Sequence, residues 1–328
     1  MPTERRLRAG DWVEVKSAGE ILATLDGRGR LDALPFMPEM LEYCGRRFRV
    51  YKSAHKSCDT VRNGTRMRHV ADAVHLAGVR CGGAAHGGCQ ALCLLYWKED
   101  WLKRVAGPAA DVVPAANPEP ADLAILMRGT RPPDADPASN GHRYSCQATD
   151  LLAASSPVRW WHPRMLARDL ISRNVRLRDF IRYVATAVFN SAMRLHWRLR
   201  EYPHVQGRCR DQTPNVTLDL QPGELVQVRS GEEIMDTLNE HNRNRGLSFD
   251  REMLPYCGKT FRVRSRVQRI VNDKTGELIN IPGRCLILEG VVCQGCLSRN
   301  RVFCQRAIYP YWHEVWLTRV NDTATAAQ

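Results

Sequence analysis

No stretch of this 328-residue chain approaches the roughly 20 consecutive apolar residues that a membrane-spanning helix needs. The opening residues, MPTERRLRAGDW, carry charge but no apolar run of the secretory kind, so the chain reads as cytoplasmic. Phosphate-cradling signatures are missing too. Glycine stands at Gly82, Gly83, Gly87 and Gly88, yet neither a P-loop nor a GxGxxG pattern is present. Turn residues around metal ligands explain those glycines more simply. Neither His55 in Ser-Ala-His nor His86 in Ala-His-Gly-Gly belongs to a visible nucleophile, base and orienter set, so no catalytic residue is named. Acidic charge is in short supply: 35 Asp and Glu face 48 Lys and Arg, a formal charge of +13. That balance suits an acidic protein, an anionic membrane surface or nucleic acid as partner; the plainer reading is a solvated basic surface.

Cysteine is plentiful. Twelve are present: five in residues 44–93, five in 257–304, and Cys146 and Cys209 singly. In a reducing compartment, clustered cysteines are more often metal ligands or redox groups than disulfides.

Their distribution follows an internal repeat. Residues 7–50 match residues 220–263 without a gap, with 21 of 44 positions identical. Similarity resumes at LAGVRC (76–81) against LEGVVC (288–293). It closes with YWKEDWLKRV (96–105) against YWHEVWLTRV (311–320).

Each repeat opens with an alternating run, WVEVK from Trp12 or LVQVR from Leu225, that predicts a strand with one buried face. Ser17 stands three residues before Glu20, and Ser230 three before Glu233, which is capping-box spacing ahead of a short helix. A further strand is expected at Arg47–Val50 and Thr260–Val263. Val267–Val271 and Leu278–Ile281, either side of NDKTGE, predict a β-hairpin.

Expected domains are 1–106 and 216–320. Between them lie a Pro/Ala/Asp-rich flexible linker at 107–142 and a helical connector at 143–215; a tail follows at 321–328. The two repeats are expected to fold independently. Ile181, Val184, Ala185, Val188, Phe189, Ala192, Leu195 and Leu199 lie at helical spacing. Arginines in the same segment make 179–200 either a packed connector or a basic amphipathic helix peripheral to an anionic membrane.

The G-D/E-x-V-x-V-x-S opening and the short strands after it resemble an SH3-like small barrel. The chain as a whole resembles a family of duplicated, cysteine-rich bacterial proteins labelled hypothetical. EILATLD, LPFMPEMLEYCG, AHGGCQ, EGVVCQGCLSRNR and AIYPYW carry that resemblance, which implies no established activity. The fold class expected is mainly β with α: two tandem SH3-like small-barrel repeats joined by the linker and a helical segment.

Aligning the repeats pairs Cys44 with Cys257, Cys81 with Cys293 and Cys89 with Cys304. Cys44 and Cys257, beside apolar residues, read as core. Four cysteines then remain per repeat: Cys58, Cys81, Cys89 and Cys93, and Cys285, Cys293, Cys296 and Cys304. Four thiolates fill a tetrahedral zinc site or anchor an iron–sulfur cluster, and Cys293-Gln-Gly-Cys296 lets two sulfurs reach one ion. His55 and His86 could each replace a sulfur.

The expectation is two structural zinc sites, with an iron–sulfur cluster as the alternative. Arg62, Arg66, Arg68, Arg299 and Arg301 are candidate anion contacts. The function expected is non-enzymatic: a metal-binding tandem-domain protein docking an acidic partner. The alternative is a metalloenzyme or iron–sulfur redox protein of a biosynthetic pathway, active in one cysteine cluster. The tryptophan pairs Trp97/Trp101 and Trp312/Trp316 read as core, or else as a platform for stacking a ligand.

Overall fold

A computed structural model of the chain describes residues 6–62, 67–108, 120–132, 143–196 and 201–320. Strands dominate, with helices mixed among them. In the first repeat they are β1 (Trp12–Val15), β2 (Arg47–Ser53), β3 (Ala73–Arg80), β4 (Leu94–Lys98) and β5 (Leu102–Val105). They form one antiparallel sheet in the order β4-β3-β2-β1-β5.

The second repeat builds the same order, β9-β8-β7-β6-β10. Its strands are β6 (Leu225–Val228), β7 (Thr260–Val271), β8 (Leu278–Leu288), β9 (Trp312–His313) and β10 (Leu317–Arg319). Register is also duplicated: Trp12 faces Arg49 as Leu225 faces Arg262, and Val13 faces Arg104 as Val226 faces Arg319. Among the described residues the outermost strands do not pair with each other, so each sheet is an open half-barrel. The hairpin expected around residues 272–277 is there, with Val271 opposite Leu278.

The alternating runs bury their valines. Val13, Val15, Val226 and Val228 are fully enclosed while their neighbours face outward. Both capping boxes form ahead of α1 (Ala18–Leu22) and its second-repeat counterpart Gly231–Asp236. Each serine takes its glutamate's backbone N–H and the glutamate reaches back to the serine N–H. Four tryptophans, Trp97, Trp101, Trp312 and Trp316, are completely buried. Phe36 meets Trp101 edge-on at 5.2 Å, and Phe249 meets Trp316 at 5.4 Å. Trp101 and Trp316 donate their indole N–H to Thr24 and Thr237. These residues are core and present no stacking platform.

The region between the repeats departs from expectation. Residues 109–119 and 133–142 of the expected linker, and the tail 321–328, lie outside the described residues. Within the linker span, however, α2 (Pro120–Gly129) buries Leu126 in the first core. Gly29 accommodates it: a Cβ there would stand 3.3 Å from the Leu126 side chain.

The expected connector is helical in part, and its first portion packs on the first repeat. Gln147 binds both the N–H and the C=O of Tyr96, at 2.8 and 2.9 Å, and so completes the outer edge of β4. Ser156–Val158 adds to a small sheet with Met67–His69 and Ser57–Cys58. Helix α3 (Pro163–Ile171) carries Asp169, fully buried, which pairs with Lys56 at 2.5 Å and His55 at 3.0 Å. Helix α4 (Leu177–His196) turns Phe180, Tyr183, Val184 and Ala187 onto Val302 and Phe303 of the second repeat. Phe180 stacks on Phe303 at 5.4 Å. That packing face is rotated from the stripe expected, because the partner is an aromatic side chain that sequence periodicity cannot see. Ile181, Val188 and Leu195 consequently stay exposed, and Leu199 lies outside the described residues.

The two repeats are in direct contact. Residues 304–307 of the second lie along 56–60 of the first. The Lys56 N–H donates to Gln305, and Arg306 donates to the Cys58 carbonyl and to Thr60. Arg80 reaches across to the Ala307 carbonyl, and Gln90 accepts from the N–H groups of Gln268 and Arg269 on β7. This shared seam joins them. Among the described residues no helix is long and apolar enough to cross a membrane.

His75, on β3 behind this seam, is fully buried. Its Nδ1 bonds the Leu95 carbonyl at 2.8 Å, and Nε2 meets no partner among the described residues. Burial pushes the ring down from its ordinary 6.5 to about 3, helped by the charges of Arg306, Arg80 and Lys52. Below pH 6.5 the unfolded chain therefore takes up a proton that the folded chain refuses. The associated stability is full above that pH and is lost as pH falls toward 3. At pH 4.5 the loss is about 2–3 kcal/mol, from two units at ~1.4 kcal/mol each. Urea unfolding at pH 7 and 4.5 should show this loss in the wild type and a smaller one in His75→Gln. Equal losses would assign the acid sensitivity elsewhere.

Candidate metal centre

The site grows from the loop after β3. Cys81 follows the strand directly, its N–H bonded to the Cys93 carbonyl at 2.8 Å. The chain then curls tightly: His86 and Gly88 both donate to the Gly83 carbonyl, and Cys89 donates to that of His86. Gly83 has φ +72°, and a Cβ there would fall 2.0 Å from the Cys89 carbonyl oxygen. Only glycine lets the loop close this far.

The second repeat builds the same knuckle. Phe303 donates to Gly295, Cys304 to Arg301, and Gly295 has φ +61° with Cys304 pressed against it. Glu39 and its repeat mate Glu252 anchor the two loops. Glu39 accepts the Ala85 N–H at 2.9 Å and holds His86 Nδ1 at 2.7 Å. Glu252 takes the N–H groups of Cys296, Leu297 and Ser298 at 2.7–3.0 Å.

Cys81, Cys89, Cys93 and Cys146 line one partly open pocket of about 30 Å³, together with His86. That is room for one or two water-sized bodies. Cys146 arrives from beyond the linker, where its N–H caps onto Thr149 Oγ1 at 2.8 Å. Burial pushes the Cys93 and Cys146 thiols up to about 12, and the negative charge each neighbouring sulfur would carry pushes the same way. Cys81 is raised further still, by burial first and then by Glu39, Cys93 and Cys146. A divalent cation bound beside these thiols would act against each of these upward shifts.

Glu39, Cys81 and His86 also bring one ligand atom each within 4.8 Å of one another, the one such group of three among the described residues. Both His86 nitrogens, however, face acceptors: Glu39 at Nδ1 and the Ser145 carbonyl at Nε2. Neither offers a lone pair to an ion. Burial pushes Glu39 up, but the hydrogen bond and charge of His86 outweigh it and leave the carboxyl below its usual range. We read this pair as the loop's anchor. Around the cavity the sulfurs are spaced more widely than that trio, so an ion would draw them inward.

The remaining expected ligands regroup. Cys58 leaves the first set and lies across the seam, its N–H on Cys304 Sγ at 3.1 Å and its thiol hydrogen-bonded to the same sulfur. Sharing a proton this way, the pair releases its first proton, from Cys304, more readily than an ordinary thiol and holds the second, on Cys58, harder. The charge of Cys293 raises Cys58, and that of Cys304 raises Cys293. Cys296 turns its thiol to the Gln294 carbonyl at 3.2 Å and toward Tyr183 of α4. Cys285 joins none of these; it sits in an apolar cluster with Val267, Ile287 and Tyr309, and burial alone pushes it up to about 11. Cys44 packs in the first core, as expected, and Cys257 packs against the second.

His55 has both nitrogens engaged, by Asp169 at 3.0 Å and Ser53 at 3.2 Å, and burial pushes its ring down against the pull of Asp169. Two of the candidate anion contacts are engaged within the chain. Arg68 is buried, its guanidinium on Ser155 and the Leu152 carbonyl, and Arg301 pairs with Asp250. The Arg62 N–H bonds Asp59, while Arg66 and the Arg299 side chain lie outside the described residues. Sequence reasoning missed Cys146, which has no counterpart in the second repeat, and Glu39, whose one signal was its repetition as Glu252.

Comparison with family models, with curated proteins and with solved structures finds no match.

The knuckle makes a sharp prediction. A Cβ at Gly82 meets nothing within 4 Å, whereas one at Gly83 overlaps Cys89 and forces a strained φ. Gly83→Ala should cost about 2 kcal/mol or more in urea unfolding, and Gly82→Ala less than about 1. Equal tolerance of both would show that the loop does not need this turn.

Proposed function

We propose that this chain is a metal-holding scaffold protein whose two half-barrels, read as SH3-like, are braced by zinc. Cys81, Cys89, Cys93 and Cys146 would hold one ion. The observation that carries this is the small pocket they line together. A closed set of four thiolates suits structural zinc, which needs no open position. Such an ion would tie the segment around Cys146 to the first knuckle. Because Cys89 Sγ also accepts the Val271 N–H at 3.3 Å, the β7–β8 hairpin of the second repeat would be held as well.

The partner half of the reading rests on α4. Leu177, Ile181, Val188 and Leu195 are 55–77% exposed, and Arg178 and Arg182 share that surface. An apolar stripe edged with arginine suits an anionic membrane surface. Flotation with phosphatidylserine vesicles should carry the protein at low salt and lose it in Ile181→Asp. Flotation unchanged by that substitution would remove α4 as the contact.

For the metal, elemental analysis of anaerobically purified protein should find zinc. Cys146→Ser should lose one equivalent and melt earlier, since structural zinc contributes on the order of 10 kcal/mol in small domains. Cys285→Ser should keep its full metal content. Full metal retention in Cys146→Ser, or a brown protein containing iron and sulfide, would overturn the assignment.

A further inference from the structure

Away from the cysteines, the segment ahead of β1 and helix α3 frame an open pocket of about 320 Å³. Arginine reaches it from both sides. Arg164 and Arg168 stand four residues apart and so share one face of α3. Opposite them, Leu7 turns into the first core with its N–H on Glu99, while Arg6 and Arg8 to either side line the pocket. The Ala9 N–H donates to the Ser172 carbonyl at 2.9 Å and pins this segment to the end of α3.

The four guanidinium groups are poorly balanced by acid. Arg6 pairs with Asp72 at 2.8 Å. Arg8, Arg164 and Arg168 form no ion pair and no side-chain hydrogen bond among the described residues. The neighbouring carboxylates are committed elsewhere: Asp169 holds Lys56 and His55, and Glu99 takes the Leu7 N–H. Burial, then the like charge of Arg6, pushes Arg168 down from the ordinary arginine value. Negative charge brought into the pocket would offset the second of these effects.

We propose that this pocket binds a phosphomonoester group through Arg8, Arg164 and Arg168. Such a group carries about 1.5 to 2 negative charges near neutral pH and three strong acceptor oxygens. The planar fork of arginine meets two of those oxygens at once. A carboxylate would bring a single charge and two oxygens to three unpaired guanidinium groups. Leu7, Met165 and Ile171 supply apolar wall for the body of the ester. The volume falls at the small end of the range for ligand pockets, about 300–1,000 Å³. The site uses no cysteine and no residue of α4, so it stands apart from the metal and membrane readings. Small soluble esters carry the group, and so does phosphatidic acid in a bilayer.

Titration calorimetry of the full chain with phenyl phosphate at low salt should show one saturable site. Arg164→Gln and Arg168→Gln should each weaken it roughly tenfold or more, as expected for loss of a charge-assisted hydrogen bond. Arg164 is exposed, so its substitution tests the contact even if Arg168→Gln alters the packing of α3. Arg243→Gln, which removes the same charge from an exposed position on the second repeat, should leave the affinity unchanged. Benzenesulfonate, similar in shape but singly charged, should bind more weakly than phenyl phosphate. Absence of a saturable site, equal affinity for the sulfonate, or an equal loss in Arg243→Gln would reduce the pocket to general surface charge and overturn the proposal. Ile181→Asp separates this site from α4, because phenyl phosphate should bind that variant as it binds wild type. Loss of binding there would place the anion contact on α4 and overturn the pocket. Flotation of Ile181→Asp then identifies the source of the group. Carriage by phosphatidic acid vesicles, released by excess phenyl phosphate, assigns the pocket to a lipid headgroup; no carriage assigns it to a soluble ester.

Discussion

The seam in which residues 304–307 lie against 56–60 governs the rest of the molecule. It buries Lys56, Asp169, His55 and Gln305 completely, with Asp169 bonded by the other three. Charges removed from water are tolerable only when each is paired and its remaining hydrogen-bonding capacity is met. Asp169 comes from α3, Lys56 and His55 from the first repeat, and Gln305 from the second. These contacts to Asp169 therefore form only when all three parts are in place. Lys56 also lies over the Phe303 ring at 4.9 Å, and Phe303 is the residue on which α4 docks. One buried carboxylate thus couples both repeats to the helices between them.

Duplication preserved what builds each half and altered what joins them. The valine strands, the capping boxes, the Phe–Trp pairs, the knuckle glycines Gly83 and Gly295 and the anchors Glu39 and Glu252 recur at matching positions. The differences gather at the seam. Ile308 stands where the first repeat has Cys93, and Arg301 where it has His86. Cys58 and Cys146 have no counterparts in the second repeat. A repeat that packed against itself alone would have no reason to diverge there. One that packs against its twin meets a different surface from each side, and its residues at the contact are free to specialise.

This specialisation divides the cysteines by environment. Where sulfurs line one small pocket, burial and neighbouring sulfurs together raise the cost of ionising Cys81, Cys93 and Cys146. Where they meet beside Arg301 and Arg306, positive charge is already at hand. The isolated buried thiols, Cys44 and Cys285, have neither neighbour and behave as small apolar side chains.

Much of this could be read along the chain, because it depends on near neighbours. Alternation in Trp12–Lys16 and Leu225–Arg229, the serine–glutamate caps and the hairpin around residues 272–277 are local, and all were legible. Duplication was legible as well, from identity at constant offset. The grouping of cysteines was not. Counting four per repeat placed Cys58 with Cys81 and Cys285 with Cys293, since sequence proximity was the only measure of distance. Tertiary structure sends Cys58 across the seam to Cys304, sinks Cys285 among Val267, Ile287 and Tyr309, and brings in Cys146 from beyond the linker. Residue types and their spacing determined that the chain would make two like sheets and carry clustered thiols. Which thiols meet was decided by how the two sheets pack, because that contact joins residues some 246 positions apart and leaves no periodic trace in either.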